Sequence, residues 1–128
     1  MSNKTLTGMA TQFEDVGTQR EFGYALRDFL DQFRFQPDRS LLLEEPALLE
    51  ARLQDSGVAD AYLASTAAWL CHRHGFLVPE WAKSISRTVN KPFFAAKTPK
   101  LRAILLQESP TEFRLRNLFV SANALHRA

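Results

Sequence analysis

The feature that most constrains the fold of this chain is a long stretch, residues 58–74, that is nearly apolar on every side. It reads V-A-D-A-Y-L-A-S-T-A-A-W-L-C-H-R-H, and Gly75 follows it directly. Glycine after a helix favours the left-handed conformation with which helices commonly end. A helix that is apolar all round has to be enclosed by the rest of the protein. The sequence therefore predicts a central helix over residues 58–74, with the other elements packed around it.

An amphipathic helix is predicted over residues 18–35. Thr18 and Glu21 have the spacing of a capping box, in which the threonine oxygen caps the first turn and the glutamate reaches back. The apolar residues that follow recur on one face, at Phe22, Ala25, Leu26, Phe29, Leu30 and Phe33. This one-sided pattern predicts a helix that packs on the core through a single face.

Two shorter elements are indicated between these helices. Ser40 or Asp38 can cap a helical turn at 40–45, because both side chains accept hydrogen bonds from nearby backbone N–H groups. Pro46 suits the first position of a further helix over 46–54. The run Asp55-Ser56-Gly57 then predicts a break before the central helix.

The last third of the chain contains two helix starts of the same type. Thr98 and the proline after it predict a helix over 98–108. Ser109, Pro110 and Glu112 repeat the arrangement of cap, proline and glutamate for a following helix. Residues 118–120 read as a short extended piece, and residues 122–127 as a last helical turn.

We therefore expect an all-α fold: a single compact domain of five to six helices over residues 18–128, preceded by a flexible leader at 1–17. Residues 76–98 lack a clear period and are expected to be irregular, with a short helix from Pro79 and a loop at 90–94. Within the leader, apolar residues at helical spacing leave three alternatives open: docking onto a partner, a helix folded onto its own domain, or simple disorder. These residues are Leu6, Met9, Phe13 and Val16.

Composition predicts a cytoplasmic protein. The single cysteine rules out an internal disulfide, as is usual in a reducing compartment. The N-terminus lacks the features of a signal peptide, and no apolar run approaches the roughly 20 residues of a membrane span. We expect no cofactor and no membrane partner.

Charge is divided unevenly along the chain. Residues 1–70 carry 6 Lys/Arg and 11 Asp/Glu, a net charge of −5, whereas residues 71–128 carry 10 and 3, a net charge of +7. No acidic residue occurs between Glu80 and Glu108, and this interval contains Lys83, Arg87, Lys91, Lys97, Lys100 and Arg102. Such a basic run, with Phe93 and Phe94 within it, suits either nucleic-acid phosphates or an acidic protein surface.

Catalytic and metal sites are not indicated. Cys71 and His74 share a helical face, but His72 points elsewhere, and neither His126 nor the carboxylates complete a zinc-binding spacing. Cys71 lies within the apolar helix, where burial raises a thiol pKa and hides the sulfur. The sequence also lacks a nucleophile elbow, a phosphate-binding loop and a dinucleotide fingerprint. We therefore predict a protein that is not an enzyme.

A group of charged and polar residues surrounds the apolar residues of the two predicted C-terminal helices. Its members are Arg102, Glu108, Arg114, Arg116 and Asn117. Arginine can hold a carboxylate and helix-end carbonyls together. We interpret this group as a polar network that locks the two short helices.

Several short motifs resemble a helical module of bacterial, mainly actinobacterial, proteins. They are H-G-F-L-V-P-E-W at 74–81, P-F-F at 92–94, L-R-A at 101–103, E-S-P at 108–110, F-R-L-R-N at 113–117 and F-V at 119–120. The order and spacing of the motifs cover about residues 18–128. The resemblance implies a module that often follows a helix-turn-helix and is often encoded beside nucleotidyltransferase-like proteins in toxin–antitoxin pairs. The 17 residues that precede the domain are too few for a helix-turn-helix, which favours partner binding over repression.

We therefore predict a non-catalytic, antitoxin-like protein that binds and neutralises a protein partner, for which the resemblance suggests a nucleotidyltransferase-like toxin. The expected partner-binding residues are Trp81, Lys83, Arg87, Lys91, Phe93, Phe94, Lys97 and Lys100. The alternative is a nucleic-acid-binding accessory or regulatory protein that uses the basic segment at 83–102.

Overall fold

The structure is a computed structural model that describes residues 5–11 and 19–121, apart from the side chains of residues 19, 20 and 52. The α-helices in this part of the chain are α1 (Leu6–Thr11), α2 (Gln19–Phe35), α3 (Glu50–Leu53), α4 (Val58–His74), α5 (Pro99–Glu108) and α6 (Thr111–Arg114). The 3₁₀ helices lie at Arg39–Leu42, Glu80–Lys83 and Ile85–Arg87, and the strands are β1 (Phe93–Phe94) and β2 (Leu118–Phe119). The all-α class predicted from the sequence is confirmed.

Helix α4 is the centre of the fold. Apart from the half-buried Tyr62, its residues from Ala59 to Cys71 are buried, and it contacts α3, α6, β2 and the 3₁₀ helices at Glu80–Lys83 and Ile85–Arg87. Gly75 follows it at φ +73°, in the left-handed region that glycine adopts without strain. The predicted bounds and the predicted central position of this helix are both confirmed.

The Asp55-Ser56-Gly57 break starts α4. Both carboxylate oxygens of Asp55 accept backbone hydrogen bonds, from the N–H of Gly57 at 3.0 Å and the N–H of Ala59 at 2.8 Å. These bonds satisfy N–H groups that have no partner within the helix, and a carboxylate is favoured at the positive end of the helix dipole.

Helix α2 buries one face, with Phe22, Leu26, Phe29, Leu30 and Phe33 in the core. Thr18, the predicted cap of this helix, lies outside the described residues. Helix α1 packs on α2 and on the 3₁₀ helix Arg39–Leu42, and it buries Leu6 and Met9 completely. Residues 6–11 of the expected leader are thus folded onto the domain, as in the second alternative, and Phe13 and Val16 lie outside the described residues.

The predicted helix over 46–54 is too long. The structure contains only the short α3, and residues 45–49 have no regular secondary structure. The physical reason is that distant side chains bind this backbone. Asp60 accepts from the N–H of Leu49 at 2.6 Å and of Glu50 at 3.1 Å, and Arg87 donates to the carbonyl of Pro46. The cap expected for the preceding turn is confirmed at Asp38, which accepts from Ser40 N–H at 2.9 Å.

The irregular segment 76–98 is confirmed, with the short helix expected from Pro79 formed as the 3₁₀ helix Glu80–Lys83. The expected loop at 90–94 is partly wrong, because β1 lies at its end. It pairs in parallel with β2, so that Phe93 lies opposite Leu118 and Phe94 opposite Phe119. A two-residue strand is too short to show a period in the sequence, whereas the extended piece expected near 118–120 is confirmed as β2.

The two C-terminal helix starts behave differently. At α5 the prediction is confirmed, because Thr98 Oγ1 accepts from Leu101 N–H at 3.2 Å. At α6 the serine cap is wrong, because Ser109 is buried and its Oγ accepts from Val120 N–H at 2.9 Å. The same hydroxyl lies 2.6 Å from the Leu105 carbonyl, its nearer acceptor. Ser109 thus ties the end of α5 to the end of β2 instead of starting α6.

Among the described helices, none is long and apolar enough to cross a membrane.

The buried position of α1 can be tested with Leu6→Ala. Because Leu6 is fully buried, the substitution should lower the free energy of unfolding by about 2–5 kcal/mol, measured by urea denaturation. Thr11→Ala is the matched control: Thr11 is exposed at the end of the same helix, and a change within about 0.5 kcal/mol is expected. If Leu6→Ala is as stable as the original chain, α1 does not pack on the domain.

Candidate partner-binding surface

Arg116 and Asn117 hold the predicted binding segment in place. The guanidinium of Arg116 donates to the carbonyl of Glu112 at 2.7 Å and to the carbonyl of Ala82 at 2.5 Å. Asn117 Nδ2 donates to the carbonyl of Val89 at 2.8 Å. Burial lowers the pKa of Arg116 from its usual value, against the opposing effect of the Glu112 carboxylate. The irregular segment is therefore ordered by side chains that follow α6.

The backbone of residues 116–117 completes this attachment. The carbonyl of Arg116 accepts from Val89 N–H at 3.2 Å, and the carbonyl of Asn117 accepts from Phe93 N–H at 2.9 Å. Asn117 has φ +63°, a left-handed conformation that asparagine tolerates better than most residues. The polar network predicted from the sequence thus includes Arg116 and Asn117, but it attaches segment 82–93 as well as the helices.

The other members of the predicted network have separate contacts. Arg102 donates to the Ala96 carbonyl at 3.2 Å, and Arg114 lies 3.4 Å from the Thr111 hydroxyl. Glu108 is exposed. The predicted network is therefore less connected than expected. Among the contacts of the described residues, only those of Arg116 and Asn117 join segments that are distant in the chain.

Two residues predicted for the binding surface lie in the core instead. Trp81 is only 8% exposed, and its indole N–H donates to the Leu42 carbonyl at 2.9 Å. Arg87 has no exposed surface, and its guanidinium lies 5.0 Å from the centroid of the Trp81 ring. The surface prediction is wrong for both residues. An aromatic residue and a cation within an irregular polar segment give no periodic signal of burial.

The buried charge of Arg87 is balanced by two carboxylates. Its Nη1 lies 3.9 Å from Asp60 Oδ1, and its Nη2 lies 3.4 Å from Glu45 Oε2 and donates to the Pro46 carbonyl. Burial is the main cause that raises the pKa of Asp60, and the Leu49 N–H and the Arg87 charge lower it to a smaller extent. Arg87 therefore joins the 3₁₀ helix Ile85–Arg87 to α4 and to residues 45–46.

The two predicted aromatic contacts are only half-exposed. Phe93 packs edge-on against Tyr62, with ring centroids 6.4 Å apart. Phe94 stacks on Phe119 at 4.8 Å, and the guanidinium of Arg102 lies over its ring at 5.5 Å. Since Phe119 and Arg102 already cover the Phe94 ring, a nucleobase would have to displace one of them to stack there.

The predicted lysines do lie on the surface. Lys83, Lys91, Lys97 and Lys100 are all exposed, and Lys83 lies 3.3 Å from Glu80. Within the described residues, no ion pair involves the other three lysines. Residues 91–100 therefore carry three exposed positive charges.

Helix α5 buries one of its four large aliphatic side chains and exposes the other three. Leu105 is buried, whereas Leu101 is 50% exposed, Ile104 43% and Leu106 50%. The signal was present in the sequence: four large aliphatic residues within six positions surround a helix, so a helix at the edge of the domain cannot bury them all. Because residues three and four apart share a helix face, Ile104 lies beside both Lys100 and Leu101.

A cleft of about 480 Å³ has Lys91 among its lining residues. Its lining also includes Glu50, Asp55 and Phe93. The Asp55 carboxylate is already used by the backbone at the start of α4. Glu50 and Lys91 are thus the exposed charged groups that line it.

The cysteine and the histidines at the end of α4 have separate contacts and do not form one cluster. Cys71 is fully buried, and burial raises the pKa of its thiol. His72 Nδ1 lies 2.6 Å from Glu112 Oε2, and the His74 ring packs between Phe33 and Phe76. His126 lies outside the described residues, and no three His, Cys, Asp or Glu side chains converge within the described part.

The role of Arg87 can be tested with Arg87→Met. This change leaves Asp60 buried without its cation, so the free energy of unfolding should fall by about 3–5 kcal/mol in urea denaturation. Lys91→Met removes an exposed cation from the same segment and is expected to change stability by no more than about 0.5 kcal/mol. Equal stability of the two variants would contradict the core position of Arg87.

The burial of Cys71 predicts slow reaction with thiol reagents. Less thiolate is present when the thiol pKa is raised, and the sulfur is covered, so a maleimide should label the native chain far more slowly than the chain in guanidinium chloride. Because the chain has one cysteine, mass spectrometry gives an unambiguous count. Rapid labelling of the native chain would show an accessible thiolate and would revive the nucleophile hypothesis.

Comparison with known proteins gives no relative: no family model, no curated protein and no solved structure matches this chain. The resemblance to the actinobacterial helical module remains a prediction from the sequence motifs. The function is therefore inferred from the surface.

Proposed function

We propose that this protein is a non-catalytic, antitoxin-like protein that binds and neutralises a protein partner. The observation that carries the proposal is the surface of α5, where Leu101 and Ile104 are each about half exposed on a helix that also exposes Lys100. Large aliphatic side chains grouped on one surface element are typical of protein interaction sites. We define the α5 surface as Lys97, Lys100, Leu101 and Ile104, with Lys91 beyond its N-terminal end.

Energetics indicate that the aliphatic and basic residues act together. Covering the half-exposed side chains of Leu101 and Ile104 contributes about 1 kcal/mol each, or about 2 kcal/mol in total. A micromolar complex needs about 8 kcal/mol. The partner must therefore make further contacts, and the exposed cations Lys97 and Lys100, at and just before the start of α5, are able to supply them. A partner that neutralises these charges gains both specificity and faster association.

The aromatic residues favour a protein over a nucleic acid as the partner. Binding of single strands commonly relies on open aromatic rings that stack on bases. Here the Phe94 ring is covered by Phe119 and Arg102, and Phe93 packs against Tyr62. The run of exposed lysines still suits a phosphate backbone, so a nucleic-acid-binding accessory role is the competing hypothesis that the experiment has to separate.

Co-expression tests the proposal. The product of the gene adjacent to this one should inhibit growth when expressed alone, and expression of this chain should restore growth. Leu101→Glu/Ile104→Glu should abolish the rescue, because it places two charges on the apolar part of the α5 surface. Leu77→Glu is the matched control, since Leu77 is 80% exposed elsewhere in the fold, and it should rescue fully.

Three outcomes would contradict the proposal. The first is an adjacent gene product that does not affect growth, and the second is undiminished rescue by the double variant. The third is a complex with DNA or RNA that weakens steeply with salt and is lost on charge reversal of Lys91, Lys97 and Lys100. That result would favour the nucleic-acid hypothesis. Urea denaturation of both variants controls for loss of folding.

A further inference from the structure

Helix α5 has polar contacts at both ends and through Arg102. At its start, Thr98 accepts from Leu101 N–H, and at its end the buried Ser109 is bonded to Val120. Arg102 attaches one flank of the helix to the Ala96 carbonyl and to the Phe94 ring. The helix is already ordered in the free protein, so binding of a partner would not have to include the entropy cost of ordering it.

One flank of α5 has a definite chemical pattern. Ile104 follows Lys100 by four residues and Leu101 by three, so it lies next to both of them on the helix surface. Arg102 and Leu106 lie on the opposite flank, with the buried Leu105 between the two sides. This flank therefore combines two aliphatic side chains with a cation, and the exposed Lys97 precedes the helix in the chain.

We infer that the α5 surface receives an acidic amphipathic helix of the partner protein. This inference rests on the proposed function and specifies its partner. The charge is complementary, since the chain has no acidic residue from 81 to 107 and Lys97 and Lys100 are exposed beside Leu101 and Ile104. An amphipathic helix presents apolar residues every three or four positions, which matches the spacing of Leu101 and Ile104.

Two other occupants fit this surface less well. An added β-strand needs an edge several residues long, whereas β1 and β2 have two residues each. A second copy of this chain related by a two-fold axis would place the same cations against one another, which opposes association. An acidic helix satisfies both the charge and the spacing.

A binding assay with designed peptides tests the inference. The first fluorescent peptide has roughly 18 residues, or five helical turns, with leucine at every third or fourth position and glutamate at the others. In the second peptide, lysine replaces every glutamate. Fluorescence anisotropy with the full chain should show that the acidic peptide binds at least about tenfold more tightly than the basic peptide.

Variants locate the binding. Leu101→Glu/Ile104→Glu should weaken the acidic peptide by about tenfold or more, because the apolar contact is removed and like charges are introduced. Lys100→Glu should weaken the acidic peptide and strengthen the basic one. Leu77→Glu should leave both affinities unchanged. Raising the salt from about 50 to about 500 mM should reduce the difference between the two peptides, since this shortens the screening length several-fold.

The possible failures have separate meanings. Equal binding of the two peptides, no binding of either, or the same loss in Leu77→Glu would overturn the acidic-helix inference. Tight binding of a single-stranded oligonucleotide without binding of the acidic peptide would overturn it in favour of nucleic acid. If the peptide assay fails while co-expression still rescues growth, the proposed function stands and only the nature of the bound segment is wrong. If the peptide assay succeeds without rescue, the surface stands and the antitoxin-like role is wrong.

Discussion

The buried guanidinium of Arg87 is the interaction on which the surroundings of α4 depend. A cation inside a protein is tolerated only when nearby carboxylates and carbonyls replace the water that it has lost. Asp60 supplies the charge from the first turn of α4, and the Pro46 carbonyl supplies a hydrogen-bond acceptor. Because Asp60 also accepts from the N–H groups of Leu49 and Glu50, one carboxylate orders residues 49–50 and compensates the cation. Such an arrangement contributes to a unique packing more surely than to net stability.

The hydrogen bond from Arg87 to the Pro46 carbonyl is the last of three that hold residues 39–46 and 77–87 side by side. Arg39 Nε donates to the Leu77 carbonyl, the indole of Trp81 donates to the Leu42 carbonyl, and Arg87 donates to the Pro46 carbonyl. The contacts occur in the same order along both segments, so residues 39–46 and 77–87 run in the same direction. Side chains bonded to carbonyls here replace the backbone ladder of a sheet, which explains how segment 76–98 is ordered with little regular structure.

The sequence predicted the elements whose signals are local. The apolar run of α4, the one-sided pattern of α2 and the cap at Thr98 each depend on residues within a few positions, and the structure contains all three elements. The errors arise where a distant partner decides the outcome. Pro46 does not begin a helix because its carbonyl accepts a hydrogen bond from Arg87, 41 positions away. Ser109 does not cap α6 because its hydroxyl oxygen accepts a hydrogen bond from Val120 N–H. A single sequence read locally contains no information about such partners.

Arginines and lysines have different roles in this part of the structure. Arg116 donates from both of its Nη atoms to two backbone carbonyls, a forked geometry that the ammonium group of lysine cannot reproduce, and Arg87 donates from Nη2 to the Pro46 carbonyl. Lys91, Lys97 and Lys100 are exposed, as suits the strongly hydrated ammonium group. Arg87 and Arg116 therefore hold the backbone in place, whereas the lysines and the aliphatic residues of α5 are exposed. An apolar surface beside charges of one sign is selective, because a partner must both cover the aliphatic side chains and carry the opposite charge.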